Sequence, residues 1–401
     1  MKRHWIPPLA LLFAQLAHGF SWGLVFAAAW TGNFTNPLFA FAWIHTVALA
    51  WITTAALAIL LHALPNFIDT PWRGQSFARW CITFFAAGVA GLIAAFLWNP
   101  ALLGAAASII LIALLGYLTG AFATIGGALR GEPVQRAVAR AFGGTFAFLF
   151  AAALAGFGLA WMLAGARVPV WVGGLARAHA HLGTIGWLTL LIFGVSMRTF
   201  KPMSGSSGTR FRWVHIIAGV CGLLGALLLA AGVSWAGGAL FAAAALVYAF
   251  DTFDILRRAA NPHRPPQAFI AASVLWLLLA LGLGCGVLAG EPWQRAYVFV
   301  LLMGWAGQMV NAHVYHIGIR LLATVYRGAQ DETPPGALLE TRLSWYSWAA
   351  FQMAVAIVAA ALVQGNPSVA ARGAVFGAVA WIAMAANIAI ARMRAATASR
   401  A

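Results

Sequence analysis

The sequence predicts an all-α integral membrane protein of about twelve helices, arranged as a quasi-threefold bundle of four-helix repeats with both termini on the cytoplasmic side. Three observations predict it: an extreme apolar composition, a one-sided distribution of basic residues, and a motif that returns on every fourth span. The 401 residues are 63% hydrophobic and 8% charged, with mean hydropathy +0.87, far from the balance of a water-soluble domain. Lipid is the solvent such a chain is built for.

Pro and Gly punctuation cuts the chain into apolar runs of roughly twenty residues, the length that crosses a hydrocarbon core of about 30 Å. The first, 6–29, follows Met-Lys-Arg and is too long for a cleaved leader, so it reads as a span. The next are 38–64, 78–98, 102–128, 141–165, 176–198, 213–234 and 238–256, and the last are 268–290, 296–320, 343–363 and 371–391. Strands are excluded, because alternation is absent and unpaired edges cannot be satisfied in lipid. The Gly-rich stretch GGALRGE after the fourth span reads as a helix end.

The net charge of +16 would point to nucleic acid in a soluble protein, but its placement argues for topology and against a nucleic-acid partner. With the N-terminus inside, Arg167, Arg177, Arg295 and Arg372 are the outer exceptions among 24 Lys and Arg. Lys2, Arg3, Arg210, Arg257, Arg258, Arg327, Arg400 and the remainder fall inside, the bias expected of a multi-pass protein of the bacterial inner membrane. Attraction to anionic membrane lipid follows from the same charge.

Span 2 reads WIHTVALAWITTAALAILLHALPNF and span 6 reads HAHLGTIGWLTLLIFGVSMRTFKPM. Setting His45 on His181 places Trp51 on Trp187, Thr53 on Thr189 and His62 on Arg198. Span 10 carries Trp305 and, eleven residues later, His316, the interval that also separates Trp51 from His62 and Trp187 from Arg198; Phe299 takes the outer position. Eleven residues of α-helix make three turns plus about 20°, so each Trp and its basic partner share one face roughly 16 Å apart. The chain is one membrane domain with approximate repeats 1–128, 129–256 and 257–401.

Ionisable groups within spans are costly and face the bundle interior, which singles out the histidines. His45, His179 and His181 lie toward the outer ends of spans 2 and 6, and His18 lies mid-span in the first helix, three residues after Gln15. Neutral imidazole ligates haem iron and copper, so a metal or haem site is expected from His45 and His181, assisted by His179 or His18. His179 and His181 stand about 200° apart on a helix and cannot both address one centre from it. A second layer near the inner face comprises His62, Arg198, His215, His313 and His316, with Gln308, Asn311 and Tyr315. Arg198 suits a haem propionate or another anion, and equally a lipid headgroup. His4 and His263 read as loop residues.

Carboxylates are few and peripheral. Asp251 and Asp254 touch the inner end of span 8, where Arg257 and Arg258 are placed to neutralise Asp254. No carboxylate sits at the membrane centre, which argues against a proton pump or proton-coupled transporter. Cys81, Cys221 and Cys285 lie in apolar spans without CxxC spacing and read as packing residues. P-loop, GxSxG and HExxH motifs are missing, so no enzyme class is assigned. The loop between spans 10 and 11, with Asp331, Glu332 and Pro334, reads as a solvated turn or a docking point.

These residues resemble a known superfamily, the haem-copper oxidase subunit I fold and its smaller relative, the NnrS family of twelve-span haem- and copper-containing proteins linked to nitric oxide stress. HAHLGTIGWLTLLIFGVSMR is similar to the HxHLGxxGW segment of oxidase-like homologues, and the stretch from His45 to Pro65-Asn66-Phe67 is similar in spacing to an NnrS segment. His181 followed by Arg198 resembles that family's second His and Arg pair. The resemblance implies haem and copper as cofactors, His45 as a haem ligand, His181 as a copper ligand, and a redox partner of the respiratory chain. The paired histidines of an oxidase's tenth helix and the adjacent pair of its seventh have no counterpart here, so a competent oxygen reductase is not expected. Two other classes stay open: a carrier or assembly factor for haem, metal or a small molecule, and a cofactor-free structural subunit of a respiratory complex.

Overall fold

A computed structural model describes residues 6–165, 169, 171–210, 212–261, 263–328 and 332–397. Lys2, Arg3, His4, Arg167, Asp331 and Arg400 lie outside the described residues. Twelve long helices follow one another: α1 (Ile6–Trp30), α2 (Pro37–Ile68), α3 (Gln75–Trp98), α4 (Leu103–Ala128), α5 (Pro133–Ala164), α6 (Val172–Ser204), α7 (Arg212–Ala231) and α8 (Ser234–Arg257). Then come α9 (Pro265–Leu288), α10 (294–327), α11 (Thr341–Gln364) and α12 (Pro367–Thr397). No strand forms among the described residues, and the chain is an all-α integral membrane protein.

Eleven of the helices are long and apolar enough to cross a membrane. The expected twelfth, over 296–320, is continuous helix too, but Gln308, Asn311 and His313 on α10 make it less apolar than its neighbours. All three side chains are buried, so the polarity is turned into the bundle and away from lipid. Outer faces carry exposed Leu12, Phe84, Ile112, Ile216, Leu246 and Ile382, a surface suited to acyl chains.

Helix ends run past the apolar windows where capping chemistry extends them. α5 starts eight residues before the expected 141, with Pro133 in its first turn and Gln135 Oε1 accepting the Glu132 N–H at 3.0 Å. α2 begins at Pro37, where Asn36 accepts the Leu38 N–H at 3.0 Å, and ends with Asp69 at φ 47°, past a Pro65 that removes a donor from the last turns.

α1 packs against α12, α3 against α4, α4 against α5, α7 against α8 and α11 against α12, enclosing α2, α6 and α10. The most apolar stretch of α2 is 78% buried against 28% for that of α5, which marks α2 as a central helix. Each of the three inner helices contains an eight-residue π-helical stretch, at Thr46–Thr53, Leu182–Thr189 and Val300–Gly307. His45, His181 and Phe299 immediately precede them, and Trp51, Trp187 and Trp305 are the sixth residue of each. The indoles form a collar: Trp187 Nε1 donates to Thr53 Oγ1 at 3.0 Å, and Trp305 Nε1 to Thr189 Oγ1 at 3.1 Å. The third link has Gly307 where the other two have Thr, and Trp51 Nε1 is buried without a partner. A Cβ at 307 would lie 2.8 Å from the Trp51 ring, so the glycine makes room for the indole.

Candidate functional site

The inner helices set the azimuth of the histidines. His45 closes the α-helical part of α2 before its π stretch, and its Nδ1 donates to the Phe41 carbonyl at 2.7 Å. His179 lies in the α-helical opening of α6, and its Nδ1 donates across to the Ala152 carbonyl of α5 at 2.8 Å. Gly156 lets that ring settle on α5, since a Cβ there would stand 2.7 Å from it. A ring nitrogen facing a carbonyl carries the proton, so in the neutral ring Nε2 keeps its lone pair for a ligand.

The two rings meet between α2 and α6, with centroids 6.0 Å apart and planes 18° from parallel. Phe96 of α3 packs on His45 at 5.2 Å. Of the two α6 histidines expected at the site, His179 is the one whose ring contacts His45. His181 is helical, like His179, and projects from another side of α6, where its Nδ1 donates to the Arg177 carbonyl at 2.9 Å. Among the described residues no His181 ring contact with His45 forms, and no group of three or more His, Cys, Asp or Glu is gathered to hold a metal ion. The roughly 200° offset visible in the sequence is the reason: of the two α6 imidazoles, one faces α2 and the other cannot.

His18 is also placed differently from the expectation. It is 1% exposed and stacked on Trp51, with ring centroids 3.8 Å apart and planes 3° from parallel. Its Nε2 accepts the Trp22 Nε1–H at 3.2 Å, so its lone pair is engaged. Its ring serves the indole collar beside Gly307.

In the inner layer some groups are engaged with the protein itself, while Asn311, the Tyr315 hydroxyl and His215 Nε2 are buried without a hydrogen-bond partner. His313 Nδ1 donates to the Met309 carbonyl at 2.7 Å, and its Nε2 lies 3.0 Å from Thr199 Oγ1. Arg198 donates to the Phe67 carbonyl at 3.3 Å, at the end of α2. His62 and His316 are half-buried, and the His62 carbonyl takes the Asn66 amide at 3.0 Å. The eleven-residue register behind this layer starts inside π-helix, whose wider turns shift the phase from that of α-helix.

Asp254 is paired as expected, with Arg258 at 2.6 Å and Arg257 at 3.3 Å. Thr333 is tied to α10, with Arg320 donating to its carbonyl at 3.2 Å and Arg327 to its Oγ1 at 2.8 Å. What sequence reasoning missed is the α5 contact that positions His179, the assisting histidine, against His45. Gly156 and Ala152, which position His179, sit in an apolar run of α5 that gives no sign of the contact.

Among known protein families and characterised proteins, none matches this sequence.

Proposed function

We propose that the protein is a haem- or copper-binding protein of the bacterial inner membrane, of the NnrS or haem-copper oxidase subunit I-like type, acting in nitric oxide response or respiratory metal physiology. The observation that carries the cofactor half is the His45–His179 pair. Neutral imidazole is the usual protein ligand of haem iron and copper, and two such rings side by side could hold either. The rings stand 6.0 Å apart, each anchored through Nδ1 by a carbonyl, which is the outer-shell arrangement that orients imidazole ligands. His45 and His179 would hold the metal, and Phe96 would cover one side of His45. A bound haem iron or copper supplies one-electron chemistry or binds a small diatomic ligand. The pair is half-buried among the helices, and the carbonyls fix the tautomer of both rings. The physiological half rests on the resemblance of the His45–Phe67 and His179–Arg198 segments.

The test is the optical spectrum and metal content of detergent-purified protein from haem- and copper-replete cells. A Soret band or bound copper that falls at least tenfold in both His45→Ala and His179→Ala, and persists in His181→Ala, is expected. Protein with neither haem nor copper, or with a cofactor indifferent to His45 and His179, overturns the proposal.

A further inference from the structure

A second polar site lies at the basic end of the bundle, among α6, α7 and α8, remote in sequence from the imidazole pair. Ser196, Thr209, His215, Tyr248, Asp251 and Thr252 line a small, partly open cavity of ≈ 20 Å³. A cavity of that size holds about one water molecule. Asp251 is 4% exposed and, unlike Asp254, has no salt bridge; its described hydrogen bond comes from Thr209 Oγ1 at 2.6 Å. His215 Nε2 is buried without a partner. The Tyr248 hydroxyl lies 2.7 Å from Ser196 Oγ, and Ser196 donates to the Ile192 carbonyl at 2.6 Å, so the phenol proton goes to Ser196.

The segment 205–210 closes the cavity. Arg258, held by Asp254, donates to Ser207 Oγ and to the Gly208 carbonyl, both at 2.8 Å, and Thr209 ties the same segment to Asp251. Other charges near the carboxylate are accounted for. Asp254 and Arg258 neutralise each other one turn further along α8, Lys201 of α6 lines the cavity while remaining exposed, and α9 carries no acidic or basic side chain. A carboxylate this enclosed needs a positive partner, since an unpaired buried charge is expensive. Lining the same cavity is the His215 imidazole, whose Nε2 has no hydrogen-bond partner.

We infer that Asp251, His215 and one water form a proton-binding site at the basic end of the bundle, in which a single proton is held between carboxylate and imidazole. The proton comes from bulk water, leaving hydroxide there, and resides on His215 Nε2, on the bridging water or on Asp251 without any other bond changing. The site stands independently of the cofactor reading.

A pH titration of the purified full-length protein, followed by infrared difference spectroscopy of the protonated carboxyl stretch, tests this. The chain has only 8 Asp and Glu, so one carboxyl can be isolated. The expected result is a titrating band that is lost in Asp251→Asn and moves to a different pH in His215→Gln. If Asp251→Asn fails to fold, Thr209→Val keeps the carboxyl and removes its hydrogen bond, and the band must then titrate at a different pH from wild type. A band unchanged by these substitutions overturns the inference. So does thermal stabilisation by sodium or potassium chloride at fixed pH that depends on Asp251, because it would assign the pocket to a metal cation.

Discussion

Replacing Thr53 by Val removes one hydroxyl from the indole collar with little change of shape. Thr53 is fully buried and Trp187 is 2% exposed, so no water can take over the indole N–H that Thr53 Oγ1 accepts at 3.0 Å. Stranding a buried donor costs about 1–3 kcal/mol in water-soluble proteins. Interhelical hydrogen bonds in membranes measure about 0.6 kcal/mol on average and up to roughly 1.7, because the unfolded chain finds partners too. Thr53→Val is therefore expected to cost about 1–2 kcal/mol, and its coupling with Trp187→Phe in a double-mutant cycle to fall between about 0.6 and 1.7 kcal/mol. Thr189 accepts from Trp305 and also donates to the Thr184 carbonyl at 3.0 Å, so Thr189→Val should cost more than Thr53→Val. Trp51 Nε1 makes no hydrogen bond, so Trp51→Phe loses ring area and its His18 stack but no donor. Equilibrium unfolding of detergent-solubilised variants measures all of these. A Thr53–Trp187 coupling inside the additivity error of about 0.3–0.5 kcal/mol would refute the collar as an energetic unit.

Gly377→Ala should destabilise the protein by about 1–3 kcal/mol, since its methyl would run into the ring of Trp22, which holds His18; a neutral effect on thermal unfolding would contradict the packing. Asn387→Ala should cost a similar amount, about 1–3 kcal/mol, because the buried amide accepts the Glu340 N–H at 2.7 Å and donates to Ser344 Oγ at 2.8 Å where α11 begins; denaturant unfolding reads it. Arg258→Gln should release the segment 205–210 and speed tryptic cleavage at Arg210, and an unaltered digestion rate would show the segment is held by other contacts. Burial lowers the His263 pKa below its ordinary 6.5, in a loop where its Nε2 has no partner. Below about pH 6.5 the unfolded imidazole takes a proton that the folded one resists, so stability falls with acidification through that range and His263→Gln should flatten the profile of melting temperature against pH.

Much of the fold was legible because lipid imposes simple rules. All twelve apolar runs, 296–320 included, form helix, and α10 alone is less apolar because it carries Gln308, Asn311 and His313 inward. The correspondence of Trp51, Trp187 and Trp305 was visible as spacing and returns as a hydrogen-bonded collar. The π stretches were not legible, because nothing in TVALAWIT or LGTIGWLT distinguishes a wide turn from an α turn. The candidate site met a different limit, since its histidines lie in α-helix before the π stretches. Sequence alignment equates His45 with His181, yet equivalent positions on pseudo-symmetric helices face equivalent neighbours and need not face each other. His179, two residues earlier, points at α5 and α2, and is the imidazole that reaches His45.

The departures from threefold symmetry locate the chemistry better than the symmetry does. At the position before each π stretch, His45 and His181 are imidazoles but Phe299 is not, and Phe299 packs instead on Trp43 at 5.4 Å and Trp22 at 6.2 Å. The third unit's outer end is thereby committed to aromatic packing, which leaves the α2–α6 junction as the place where two imidazoles can meet. At the collar, Thr53 and Thr189 accept indole protons but Gly307 cannot, and His18 stacks on the indole left over. A threonine at 307 would restore the missing acceptor only by displacing Trp51, whose ring stands 2.8 Å from where the Cβ would be. Gly307→Thr should therefore destabilise the protein rather than complete the collar, and it should perturb His18, detectable as a changed tryptophan fluorescence spectrum. A variant at least as stable as wild type would show that the third link is accidental and that His18 has no part in filling it.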